Sequence, residues 1–126
     1  MEKQKFQLEF DMKGTPVPLL WSYISSASGL KEWFADAVEV NGKRYTFYWN
    51  KLPQTATVIS IRNEVSIRWR WDDETSRAYF ELKIAVDEFT DTASLILTDF
   101  AEPSDMDDSK ELWEAQIGGL QGMLGC

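Results

Sequence analysis

Alternating apolar and polar residues open the chain and predict a strand followed by a helix. Phe6, Leu8 and Phe10 are separated by polar residues, which is the period of a strand with one buried face. Thr15 followed by Pro16 is typical of a helix N-cap and first helical position. We therefore expect a first strand over "KFQLEFDM" and a first helix over "PVPLLWSYIS".

A second short helix and six further strands are predicted between this helix and residue 100. The helix is "SGLKEWFA", starting at Ser28. The segment "DAVEVNGKRYTFYW" predicts a hairpin with Asn41-Gly42 as its tight turn, and Pro53 is expected to end its second strand. Four more strands follow as "TATVISIR", "EVSIRWRW", "RAYFELKIAV" and "TASLILTDF", joined by short polar connections.

The last segment, "DDSKELWEAQIGGLQGML", changes to helical spacing and predicts a long helix capped by Ser104 or Asp105. Its expected inward face is Leu112, Trp113, Gln116, Ile117, Leu120, Met123 and Leu124. Gly118, Gly119 and Gly122 each lower helix stability by roughly 1 kcal/mol relative to Ala. They indicate close packing on a sheet or fraying at the end, or else room for a ligand or a hinge.

The order β-αα-ββββββ-α predicts an α+β fold in which a seven-stranded, mostly antiparallel sheet carries its helices on one face. The 126 residues suffice for a single domain, residues 1–126. Six Trp residues suggest large rings packed around a core or a pocket.

Composition excludes several function classes. The net charge of −8 disfavours binding to a nucleic-acid backbone. The sequence contains no histidine and its one cysteine is Cys126, which excludes His-based catalysis and the usual zinc sites, so we expect no metal and no cofactor. No apolar run has the length of a signal peptide core or a membrane span, so we expect a cytoplasmic protein.

Four sequence segments resemble the START-like (SRPBCC, helix-grip) superfamily, in the branch related to the activators of a chaperone ATPase. "SASGLKEWFAD" is similar to that branch's Trp-Phe element after the helix pair. "GKRYTFYW" and "VSIRWRWDD" are similar to two of its strands, and "LWEAQIGGLQGML" to its closing helix. The resemblance implies a curved sheet gripping a long C-terminal helix, often around a cavity. Members include lipid carriers, polyketide cyclases and chaperone activators, so it fixes no single function.

The strand "VSIRWRWDD" alternates Trp69 and Trp71 with Arg68 and Arg70, which places rings and charges on opposite faces. We expect the arginines to lie near Glu81 on the solvent side as cross-strand partners. The rings then face the final helix, where they fill the core or line a pocket.

The leading hypothesis is a small apolar or aromatic ligand bound between the final helix and the sheet. The candidate cavity-lining residues are Trp33, Phe47, Trp49, Trp69, Trp71, Phe80, Leu97, Trp113, Ile117 and Leu120. The alternative is a protein-interaction module, as a homodimer or with a chaperone partner.

An enzyme is the least favoured interpretation, because no nucleophile and base can be paired in the sequence. It would need an inward carboxylate, and the candidates are Asp99, Glu32 and Glu114. An inward Asp99 would have a raised pKa, but its place at the end of a strand favours a carboxylate in water.

Overall fold

A computed structural model describes residues 2–126 as one antiparallel sheet with three α-helices. The strands and helices, in chain order, are β1 (Gln4–Asp11), α1 (Val17–Ser25), α2 (Ala27–Trp33), β2 (Ala37–Asn41), β3 (Arg44–Trp49), β4 (Leu52–Arg62), β5 (Ser66–Trp71), β6 (Phe80–Val86), β7 (Ala93–Ala101) and α3 (Met106–Leu124). A 3-10 turn, Pro103–Asp105, leads into α3.

The seven strands are ordered β1-β7-β6-β5-β4-β3-β2, and every neighbouring pair is antiparallel. The predicted α+β helix-grip fold is confirmed. Neighbours along β2 to β7 are also neighbours in the sheet, so hairpins build most of it. Strand β1 forms the other edge of the sheet and pairs with β7, with Phe6 opposite Asp99.

The two short helices begin at different residues from those predicted. Pro16, not Thr15, is the N-cap of α1, and the Thr15 hydroxyl instead lies 3.3 Å from Cys126 Sγ. Ser26 caps α2, where its Oγ accepts a hydrogen bond from the Gly29 N–H at 3.0 Å. A Cβ on Gly29 would lie 2.1 Å from the Ser22 carbonyl oxygen, so the junction of the two helices requires glycine.

Two predicted turns are shifted along the chain. Asn41 pairs with Arg44, so the first hairpin turns at residues 42–43, and Gly42 has φ 63°. The next turn is residues 50–51, both with positive φ and neither a glycine. Pro53 does not end β3; it lies inside β4, opposite Tyr48.

The core lies between the sheet and the helices, and aromatic rings occupy much of it. Phe47, Trp69 and Phe80 are almost fully buried, together with Ile67 and Leu82. Trp69 stacks on Phe80 with ring centroids 5.0 Å apart. Alternation along β5 therefore predicted its inner face correctly.

The charged face of β5 is only partly as predicted. Arg68 lies opposite Glu81, and its Nε donates to Glu81 Oε2 at 2.9 Å. Arg70 does not reach Glu81; it donates to the carbonyl oxygens of Arg77 and Ala78 instead. The loop before β6 provides these acceptors, and a loop's path is hard to read from sequence.

Helix α3 packs on the sheet through Trp113, Ile117 and Leu120, which are buried. Two of its predicted inward residues are exposed instead, since Leu112 is 60% and Met123 47% exposed. Asp105 occupies the N-cap position, but its side chain makes no capping hydrogen bond.

The α3 glycines lie on the outer side of the helix. Gly118, Gly119 and Gly122 are exposed, and a Cβ built on any of them would have no other atom within 4 Å. Close packing against the sheet is therefore the wrong explanation for them. The helix also continues past them to Leu124.

Candidate functional site

A cleft of about 350 Å³ opens between α3 and the concave side of the sheet. Aromatic side chains form most of its wall, and three polar side chains reach it. Its lining residues are Phe34, Trp49, Gln54, Trp71, Asp99, Leu112, Trp113 and Gln116. Such a mixture, mostly apolar with a few polar groups, is typical of small-molecule sites.

Phe34, the C-cap residue that follows α2, lies at the centre of the aromatic wall. Its ring stacks on Trp113 of α3 with centroids 5.4 Å apart and an interplanar angle of 16°. It meets Trp49 edge-on at 5.3 Å and Phe47 edge-on at 5.0 Å. Phe34 thereby joins the short helix, the long helix and the sheet through ring contacts.

The Phe34 backbone carbonyl makes a second junction. It accepts a hydrogen bond from Trp49 Nε1 at 2.8 Å and another from Gln116 Nε2 at 3.0 Å. Beyond these residues lies a neighbouring cleft of about 460 Å³, which also borders Trp33 and Asp36. Because Phe34, Trp49 and Gln116 border both spaces, they form the wall between them.

Asp99 supplies the carboxylate of the site from near the end of β7. Its Oδ2 accepts from Trp113 Nε1 at 2.8 Å, and its Oδ1 accepts from the Phe100 N–H at 2.7 Å. Burial raises the pKa of Asp99 to about 6, although these two hydrogen bonds and the nearby Lys3 lower it. The side chain is inward, so its expected position in water is wrong.

The charges around Asp99 come from the residue before β1 and from the loop before β6. Lys3 Nζ lies 2.6 Å from Glu74 Oε1. This hydrogen bond holds the pKa of Glu74 down to about 2 and raises that of Lys3. The other two candidate carboxylates, Glu32 and Glu114, are exposed, so neither is the inward acid that catalysis would need.

The structure brings three of the ten predicted lining residues, Trp49, Trp71 and Trp113, into the cleft, and Trp33 borders its neighbour. The other six lie in the core behind the wall: Phe47, Trp69, Phe80, Leu97, Ile117 and Leu120. A ligand contact for any of the ten stays a prediction.

Sequence reasoning missed four residues of the cleft. Gln54 could have been predicted from the sequence. It faces Phe47 across the hairpin, and alternation along β4 puts it on the inner side. Gln116 was placed on the inner face of α3 but not in the site. Trp33, and not Phe34, was predicted from the Trp-Phe element, and Leu112 was placed on the inner face of α3 but not in the site.

The indole N–H of Trp69 is buried without a hydrogen-bond partner among the described residues. An unpaired buried donor costs about 1–3 kcal/mol. Tyr45, by contrast, donates to the Ser25 carbonyl oxygen at 2.7 Å, and burial raises its pKa.

Residues 2–126 show neither a metal-ligand cluster nor a membrane-spanning helix. They contain no group of three or more His, Cys, Asp or Glu side chains arranged to hold a metal ion. In the same residues, no helix combines the length and apolarity needed to cross a membrane.

The family model of the START-like superfamily domain matches residues 1–126. The chain belongs to the START-like superfamily. Domains of this superfamily often bind hydrophobic ligands or mediate interactions. No curated protein matches the sequence.

Several solved structures are similar to this chain in sequence or in fold. BfR322 of Bacteroides fragilis is 39% identical over 98% of this chain and 92% of its own, with a TM-score of 0.70. The Aha1 dimer of Colwellia psychrerythraea matches with a TM-score of 0.80 at 14% identity, over 96% of each chain. DynU16, from the dynemicin biosynthetic locus, matches with a TM-score of 0.78 at 13% identity, over 96% of this chain and 47% of its own. The latter two likenesses concern the fold alone.

Proposed function

We propose that this START-like domain binds a small, largely apolar molecule in the cleft between α3 and the sheet. The supporting observation is the cleft itself, about 350 Å³ with walls formed mainly by Phe34, Trp49, Trp71 and Trp113. Burying an apolar ligand against such rings is favourable at roughly 25 cal/mol per Å² of surface removed from water. Gln54 and Asp99 supply polar atoms that can orient the ligand.

Binding is tested with neutral aromatic and aliphatic probes, such as indole, 2-phenylethanol and decanol. Thermal shift and indole N–H chemical shifts report stabilisation and site occupancy. We expect stabilisation, with shifts concentrated on the cleft indoles. No stabilisation and no shift with any probe at millimolar concentration contradicts the proposal.

Two variants of α3 locate the site. Leu112→Trp fills space at the rim of the cleft and is expected to weaken binding. Glu111→Trp adds the same ring on an exposed neighbour that does not border the cleft, and should leave affinity unchanged. If the two substitutions change the affinity equally, the probes bind outside the cleft.

A second candidate function is protein interaction, as a homodimer or with a chaperone-related partner. Its support is a group of exposed apolar side chains on β4: Leu52 is 71%, Ile59 42% and Ile61 54% exposed. The related Colwellia fold is described as a dimer. Sedimentation velocity tests the homodimer: a monomer at all concentrations contradicts it, and a dimer that dissociates in Ile61→Thr supports it.

A further inference from the structure

The cleft carries a net negative charge. Among its eight lining residues, Asp99 alone has a charged side chain, and no lysine or arginine borders the space. The nearby Lys3 is engaged by Glu74 at 2.6 Å. The chain as a whole has a net charge of −8, so the surrounding field does not favour an anion either.

The aromatic walls are held in place by other rings. Trp71 stacks on Phe80 with centroids 4.9 Å apart, and Trp49 stacks on Phe47 at 5.9 Å. Trp113 is fixed both by stacking on Phe34 and by its hydrogen bond to Asp99 of β7. Rigid indoles bind cations through the negative potential of their ring faces, and tryptophan is the best side chain for this contact.

The Asp99 carboxylate has capacity left for a ligand. Each of its oxygens accepts one protein hydrogen bond, from Trp113 Nε1 and from the Phe100 N–H. A carboxylate oxygen can accept two, so each retains a free lone pair. An ammonium group within reach would form a charge-assisted hydrogen bond, which is about twice as strong as a neutral one.

We propose that the cleft selects small organic cations, meaning an ammonium group on an apolar or aromatic body, with the Asp99 carboxylate as counter-ion and the indoles of Trp49, Trp71 and Trp113 as the walls. This specificity rests on the proposed small-molecule function of the same cleft. Neutral molecules of the same shape bind more weakly, and anions are repelled by the carboxylate.

A ligand series with the same apolar body and head groups of different charge tests the proposal. The probes are 2-phenylethylamine, 2-phenylethanol and 3-phenylpropionate, with tryptamine, tryptophol and indole-3-propionate as a second, larger set. Affinities come from titrations at pH 7.5 followed by the indole N–H resonances. We expect the ammonium compounds to bind about tenfold more tightly than the alcohols, and the carboxylates to bind most weakly.

Two aspartate variants assign the preference to its residue. Asp99→Asn should abolish the advantage of the ammonium compounds over the alcohols. Asp73→Asn, which makes the same charge change at an exposed position, should preserve that advantage. Retention of the preference in Asp99→Asn overturns the assignment.

The outcomes separate the two proposals. Equal affinity for ammonium compounds and alcohols in the wild-type protein overturns the cation proposal and leaves apolar binding standing. Tighter binding of the carboxylates also overturns it. If no member of either set binds, the cation proposal fails, and the proposed function fails with it when indole and decanol also give no stabilisation and no shift.

Discussion

Replacing the three exposed glycines of α3 by alanine should stabilise the protein. Gly118, Gly119 and Gly122 lie in the helix, and an added Cβ would meet nothing within 4 Å, so no packing cost opposes the substitution. Alanine in a helix interior is favoured over glycine by about 0.8–1 kcal/mol. Because Gly122 is in the last turn, we expect the triple variant to gain about 2 kcal/mol in unfolding free energy.

Chemical and thermal unfolding measure this gain. For a domain of this length, about 2 kcal/mol corresponds to a rise of roughly 8 °C in Tm. The denaturation midpoint should increase at an unchanged m value, since the surface buried on folding is the same.

Two other glycines serve as controls with the opposite expectation. Gly29→Ala should destabilise the protein strongly, because its Cβ would overlap the Ser22 carbonyl. Gly125→Ala should cost about 1 kcal/mol, because its φ of 75° is left-handed. A triple α3 variant with unchanged or lower stability would refute the description of those glycines as unpacked.

Three further predictions concern single side chains. The raised pKa of Asp99, about 6 against an ordinary 3.8, means that the folded state binds this proton more tightly than the unfolded state does. The Asp99 contribution to unfolding free energy is therefore highest below about pH 4, falls by about 3 kcal/mol as pH rises to about 6 and then stays constant. Asp99→Asn removes this fall. The unfolding free energy of the variant should therefore increase relative to that of the wild-type protein as the pH is raised from 4 to 8, and a difference that does not change with pH would contradict the prediction. Ser26→Ala should cost about 1 kcal/mol in urea unfolding through loss of the α2 cap, whereas Ser28→Ala should cost little. Trp69→Phe removes the unpaired indole donor, so its loss of unfolding free energy should be smaller than that of a large core truncation such as Phe80→Ala, which is about 3–5 kcal/mol. Thermal unfolding of the two variants measures the difference.

The sequence predicted the sheet well because burial imposes a period of two on each strand. The inward position of Trp69 and the pairing of Arg68 with Glu81 both follow from that period. Turns were less predictable, since the positive φ of Asn50 and Lys51 is set by the strands they connect and not by a glycine.

The candidate site was only partly predictable, because two of its main features depend on tertiary contacts. Alternation put Asp99 on the inner face of β7, but its burial depends on Trp113, which reaches it from a separate helix. The hydrogen bonds at Phe34 use a backbone carbonyl, which every residue type has, so no sequence pattern marks that position.

The Phe34 carbonyl also determines how this domain can change the size of its site. No substitution at Phe34 removes a backbone acceptor, so the hydrogen bonds that hold the partition between the two clefts can be altered only through their donors. Trp49 packs its half-buried ring against the core from β3, whereas Gln116 is a half-buried polar residue of α3. A shorter side chain at 116 would remove one of the three side chains of this wall and leave the sheet intact. Under the proposed binding function, position 116 therefore controls how much of the neighbouring cleft a ligand can use.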